Sequence, residues 1–183
     1  MPLNSIIFGN IIMFIACTIM TVAGLPKKKN TCLILQNTSL FLEGIGNLFF
    51  KSYPGCIISI LSVLRNTLSQ KEKLNLPIKI ILSILVSVIS LYFNNVGLLV
   101  ILPLTAFISY VFFMNTKNTV IFKLIVIFAS TLWLIYYLSL SIYVNSVFEA
   151  TTVISNCIGI YRIKQYNSDN KKEGKLIYEF YNR

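Results

Sequence analysis

SYPGCIISILSVLRNTLSQ, residues 52–70, and IYVNSVFEATTVISNCIGI, residues 142–160, are two versions of one segment. At a shift of 90 residues Tyr53 falls on Tyr143, Ser59 on Glu149, Ser62 on Thr152 and Asn66 on Asn156. In a helix that turns about 100° per residue, positions i, i+3 and i+7 lie within about 60° of one another. Ser59, Ser62 and Asn66 therefore form one polar stripe, and Glu149, Thr152 and Asn156 form a second at matched places. Each segment reads as a helix with one wet face.

The repeat extends outward from these two helices. The same shift lays Thr31–Phe50 on Thr119–Ser141, and a shift of about 88 to 89 lays Ser5–Leu25 on Val96–Met114, so that Lys28 meets Lys117. With Pro54–Ser69 and Asn145–Ile163 these make six spans, and Pro77–Phe93 makes a seventh that has no partner. Each approaches the ~20 residues that carry a helix across ~30 Å of hydrocarbon. Three helices return the chain to the opposite face, so a directly joined second copy would be inverted. One extra crossing restores its orientation. The expected fold is all-α and polytopic: seven transmembrane helices as two parallel three-helix bundles joined by a linker helix. Residues 1–70 form the first repeat, 71–94 the linker, 95–163 the second repeat and 164–183 a cytoplasmic tail. Ser83, Ser87 and Ser90 give the linker a small-residue face suited to close packing. The Lys-, Asn- and Asp-rich tail reads as a solvated, partly disordered end, with attraction to anionic head groups as its other reading.

Composition excludes other classes. Hydrophobic residues are 56% of the chain and charged ones 12%, against roughly 25% charged in an ordinary soluble domain. A formal net charge of +10 could suit nucleic acid, but so much apolar surface has no place in a soluble protein. The lysines sit in the connections: Lys27, Lys28 and Lys29; Lys71 and Lys73; Lys117; and Lys164, Lys171, Lys172 and Lys175 after the last span. Seven spans put these on one face, whereas six or eight would scatter them. Excess Lys and Arg mark the cytoplasmic side, so the N-terminus is expected outside and the C-terminus inside. Phe14-Ile15-Ala16-Cys17 faintly resembles a lipoprotein cleavage site, but no Lys or Arg precedes Lys27, so the first helix reads as retained. Cys17, Cys32, Cys56 and Cys157 are too far apart for a metal or redox motif and read as small buried hydrophobes. The chain has no histidine, which removes Ser-His-Asp and Cys-His catalysis and the commonest metal ligand. No enzyme, cofactor or metal site is expected.

Polar side chains at membrane depth turn away from lipid. Gln36, Ser39, Glu43 and Asn47 form a third polar stripe, and Ala129, Trp133 and Tyr137 take the matching face of the sixth span. Together the stripes describe a lined cavity, with Glu43, Asn47, Ser62, Asn66, Trp133, Thr152 and Asn156 as solute-contacting candidates. Ser59, Ser62 and Thr152 could equally brace the bundle by interhelical hydrogen bonds. Glu43 has three roles open to it: binding a cationic solute, carrying a proton, or pairing with another helix. Arg65 is expected to snorkel to the cytoplasmic interface, and Glu149 to be wetted at the outer edge. Pro103, read as mid-span, is the candidate hinge because it removes a backbone hydrogen bond.

The run Ser52-Tyr53-Pro54-Gly55 to Leu64-Arg65-Asn66, with Glu149 to Asn156 to Arg162, resembles the bacterial inner-membrane YgjV family over about Phe8 to Arg162. That family is similar in plan to the SWEET sugar facilitators and the PnuC vitamin transporters. The SWEET pattern implies a pocket with paired asparagines on helices three and seven and tryptophans on helices two and six. Asn66, Asn156 and Trp133 match those places, while Glu43 replaces the other tryptophan. The hinge prolines reduce to Pro103, and a histidine expected near Gly46 is missing. The resemblance implies a transporter of a small polar solute such as a sugar, nucleoside or vitamin, working by alternating access in the bacterial inner membrane. The alternative is a receptor or assembly partner using the same cavity. The expected partners are the solute and the lipid bilayer, not nucleic acid, and a homo-oligomer is compatible with the sequence.

Overall fold

The connections between helices show why the chain breaks where it does. In the computed structural model, which describes residues 3–94 and 97–181 with side chains over 4–94 and 97–168, two turns are near copies of each other. After the second helix Lys51 N–H donates to the Leu48 carbonyl and Ser52 N–H to the Asn47 carbonyl; after the sixth, Ser141 N–H donates to Leu138 and Ile142 N–H to Tyr137. Both turns place a non-glycine residue in the left-handed region, Lys51 at φ 56° and Ser141 at φ 58°. These are Schellman-type caps, which satisfy the last helix carbonyls. Asparagines start two of the helices: the Asn75 side chain accepts from Ile78 N–H, and that of Asn118 from Val120 N–H. Such acceptors satisfy donors that a helix start leaves unpaired.

The described residues form seven α-helices and no strand. They are α1 (Leu3–Val22), α2 (Lys29–Phe49), α3 (Tyr53–Gln70), α4 (Leu76–Tyr92), α5 (Ile101–Phe113), α6 (Thr119–Ser139) and α7 (Tyr143–Tyr181), with a 3-10 turn over Gly97–Val100. α2 packs on both α1 and α3, and α6 on both α5 and α7. α1 meets α7, and α4 lies between α3 and α5. Two helices are long and apolar enough to cross a membrane by composition alone, over Asn4–Val22 and Thr119–Ser139; Leu76–Tyr92 and Gly97–Phe113 are apolar but shorter.

Burial runs opposite to that of a soluble protein. Gln36, Ser39, Arg65, Asn66, Lys123 and Asn156 are buried, while Ile34, Phe41, Ile60, Ile84, Phe128 and Ile154 are exposed. The exposed apolar residues recur at helical spacing, as in Ile34, Phe41 and Leu48 or Ile121, Leu124 and Phe128. An apolar surface of this extent fits lipid rather than water.

Three expectations change. α7 does not end near Ile163 but continues as helix to Tyr181, across the stretch read as a partly disordered tail. No proline interrupts that stretch and its first glycine is Gly174, while Lys, Gln and Glu are good helix formers. The linker α4 does not bury its serine face: Leu82 and Val86 are its buried residues, and Ser83, Ser87 and Ser90 are half-buried. Pro103 is not in the middle of a helix. It is the third residue of α5, just past the 3-10 turn, where its missing N–H and fixed φ suit the change of helix type.

Candidate functional site

The polar stripes converge on one cavity of about 430 Å³. Of the expected contacts, Glu43 and Asn47 of α2, Ser62 of α3, Trp133 of α6 and Thr152 of α7 line it, and Pro103 stands in its wall. Its rim includes Ser52 and Gly55 beside the α2–α3 turn and Ile142 and Asn145 beside the α6–α7 turn. The cavity therefore reaches the end of the molecule away from the lysine-rich connections. Trp133 stacks on Tyr137 at 5.4 Å and meets Tyr136 edge-on at 5.6 Å. One turn of α6 thus supplies an aromatic wall, because residues i, i+3 and i+4 share a helix face.

The asparagine pair does not line the cavity. Asn66 is fully buried, and its Oδ1 accepts from Arg65 Nε at 3.0 Å and Nη2 at 2.9 Å. Asn156 donates to the Thr152 carbonyl at 2.9 Å in its own helix. It also lies against the α1–α2 turn: a Cβ on Gly24 would stand 2.8 Å from Asn156 Nδ2 and 2.9 Å from its backbone N. These two sequence-matched positions have different partners because one lies beside an arginine and the other beside a glycine turn.

Two residues read as peripheral are part of the site. Arg65 does not snorkel outward. It is 6% exposed and lines the cavity, with its guanidinium carbon 4.3 Å from the Tyr110 ring centre and 4.9 Å from that of Phe107. Its helix runs from the far end toward the basic end, and helical side chains tilt toward their own N-terminus, so the long side chain leans into the bundle. Tyr110 is itself held by a 2.7 Å hydrogen bond from its hydroxyl to Gln36 Oε1. Glu149 is half-buried and lines the cavity. With Glu43 it also flanks a smaller cavity of about 60 Å³ beside Cys17, Ser39 and Tyr137. The sequence carried a signal for both residues, since charge at membrane depth faces protein or water by default.

The basic end is closed. Lys29 of α2 donates to the Met114 carbonyl at 2.5 Å and the Thr116 carbonyl at 2.9 Å, just past α5. Lys123 of α6, fully buried, donates to the Gly24 carbonyl just past α1 at 2.5 Å. Each lysine therefore crosses to the end of a helix distant in the chain, where carbonyls lack intrahelical partners and the helix dipole favours a cation. Cys32, Leu33, Leu74, Met114 and Phe122 seal the core at this level, each at most 1% exposed. The result is a polar pocket reaching one end of the bundle, with a cross-linked floor at the other.

Residues 7–167 match the Imp-YgjV family model, described as a bacterial inner membrane protein, and the chain belongs to that family. No curated protein and no solved structure matches it.

Proposed function

We propose that this inner-membrane protein is a transporter of a small polar solute, working by alternating access between two three-helix bundles joined by α4. The observation that carries the reading is the asymmetry of the cavity: it reaches the far end and is closed at the basic end by Lys29 and Lys123. That is the form expected of a transporter in one of its two end states, with the site near mid-depth between repeats. The parallel repeat is supported by the shift of 90 residues and the matched turns at Lys51 and Ser141, and is similar in plan to SWEET and PnuC transporters. The positive-inside rule makes the basic end cytoplasmic, so the protein spans the membrane seven times, N-terminus out and C-terminus in, with the cavity facing out. Trp133 and Tyr137 would stack on the solute, and Glu43, Asn47, Ser62 and Thr152 would contact its polar groups. Pro103, where α5 changes helix type, is where the second bundle would flex. The protein carries out no chemistry on the solute and needs no cofactor. The test is uptake of labelled solutes into proteoliposomes, run beside equilibrium binding to the same protein. Uptake that is saturable and lost on Trp133→Ala supports transport. Saturable binding with no flux for any bound solute would overturn it in favour of a receptor.

A further inference from the structure

A pocket for a neutral sugar would be served by asparagines, hydroxyls and aromatic rings. This one holds a guanidinium and two carboxyl groups, and the two kinds of group are separated along its axis. Arg65 lies deep, beside Gln36 and Tyr110, where its hydrogen bonds go to the neutral Asn66 rather than to a carboxylate. Those bonds use Nε and Nη2; among the described residues nothing accepts from Nη1. Tyr110 and Phe107 flank the guanidinium at ring-centre distances of 4.3 and 4.9 Å. A guanidinium fixed this way is preset for a planar oxyanion, which it can bind through two parallel N–H donors.

The acids lie toward the rim. Glu149 occupies in its repeat the place of Ser59, and Gly44, next to Glu43, packs against Ser59: a Cβ on Gly44 would stand 3.5 Å from Ser59 Cβ. Ser59 precedes Arg65 by six residues, which is about 9 Å along the helix axis. The Arg65 side chain shortens that gap by leaning toward the helix start. A guanidinium in membrane-depth surroundings without a carboxylate opposite is costly, and an anionic group at the floor would relieve that cost. A purely anionic solute, however, would have to pass Glu43 and Glu149. A solute with both charges meets favourable contacts at both levels.

We propose that the cavity takes a dipolar organic solute of the amino-acid class, with its carboxylate on the Arg65 guanidinium and its ammonium group toward Glu43 and Glu149. The proposal deepens the transporter reading and rests on this cavity being the solute site.

The chain has one tryptophan, and Trp133 lies in the cavity wall, so its fluorescence reports occupancy in the purified full-length protein. The probes are glycine, 4-aminobutyrate, leucine and 6-aminohexanoate. Each is titrated beside the matching acid without the amine and the matching amine without the acid, for instance hexanoate and hexylamine. At least one dipolar probe should bind tenfold or more tighter than both of its halves. Arg65→Gln should remove the advantage of that probe over its amine. Arg65→Lys, which keeps the charge without the planar fork, should restore part of it. The double variant Glu43→Gln, Glu149→Gln should remove the advantage over the acid and leave the Arg65 arm intact, which covers the case in which Arg65→Gln does not fold. The proposal is overturned if no dipolar probe outbinds its halves, or if the preference survives in folded Arg65→Gln. The two readings fail separately. Tight dipolar binding without flux would sink transport and keep this site, whereas uptake of a neutral solute with no dipolar binding would do the reverse.

Discussion

Removing the Lys29 ammonium should open the basic end. Its Nζ donates to the Met114 and Thr116 carbonyls, and the ammonium also sits 5.6 Å from the Phe122 ring centre. Hydrogen bonds with a charged partner contribute about 1.5–3 kcal/mol each. Lys29 is only half-buried, so water replaces part of what Lys29→Met removes, and a net effect of about 2 kcal/mol follows for the closed floor. At 1.4 kcal/mol per decade that is roughly a thirtyfold gain in the population open at the basic end. Cys32 is the reporter: it is one turn along α2 from Lys29, 1% exposed, and its thiol donates to the Pro26 carbonyl in the α1–α2 connection. In a background with Cys17, Cys56 and Cys157 changed to Ser, an impermeant maleimide is added to inverted membrane vesicles and the labelling rate of Cys32 is followed. Lys29→Met should raise that rate about thirtyfold while leaving the Lys123–Cys32 contact of 3.7 Å in place. Lys29→Arg should label like the parent. Complete labelling after denaturation checks that the thiol is intact. A Cys32 rate in Lys29→Met within twofold of the parent would refute the idea that this lysine holds the floor closed.

Other outcomes follow from the same contacts. Gly24→Ala and Gly159→Ala should each lower thermal stability in detergent by about 1–3 kcal/mol, the usual effect of overpacking. A Cβ on Gly24 would crowd the Asn156 backbone at 2.9 Å, and one on Gly159 the Lys123 ammonium at 2.7 Å. Parental melting in both would show that α7 and the α1–α2 turn are not in contact. Ser141→Gly should stabilise by about 1 kcal/mol, since φ of 58° strains a residue with a Cβ; a lower melting temperature would count against the left-handed cap. A reporter fused after Arg183 should read as cytoplasmic, and a C-terminus found outside would remove the seven-span topology.

How much of this was legible in the residues varies with the kind of signal. Helix positions were readable because apolar runs are local features, and Pro54 and Pro77, where two of the spans begin, stand in first turns. The polar stripes were readable because helical periodicity fixes which residues share a face. What a stripe faces is not periodic. Asn66 and Asn156 occupy matched places, yet one meets an arginine beside it and the other a glycine turn from α1, and only three-dimensional packing decides between them. Arg65 shows the same point from the other side. Its spacing placed it off the Ser59–Ser62–Asn66 stripe, and nearness to Lys71 suggested the interface. What draws it inward is a pair of rings on α5, Phe107 and Tyr110, more than 40 residues away in the chain. Lys123 lies near the start of α6, and its acceptor, the Gly24 carbonyl, is 99 residues distant. Charges in a bundle of this kind are long side chains that choose among distant partners. Their positions can be counted along the chain, but their partners depend on how helices distant in sequence meet, and those charges set both the closure of the floor and the polarity of the cavity.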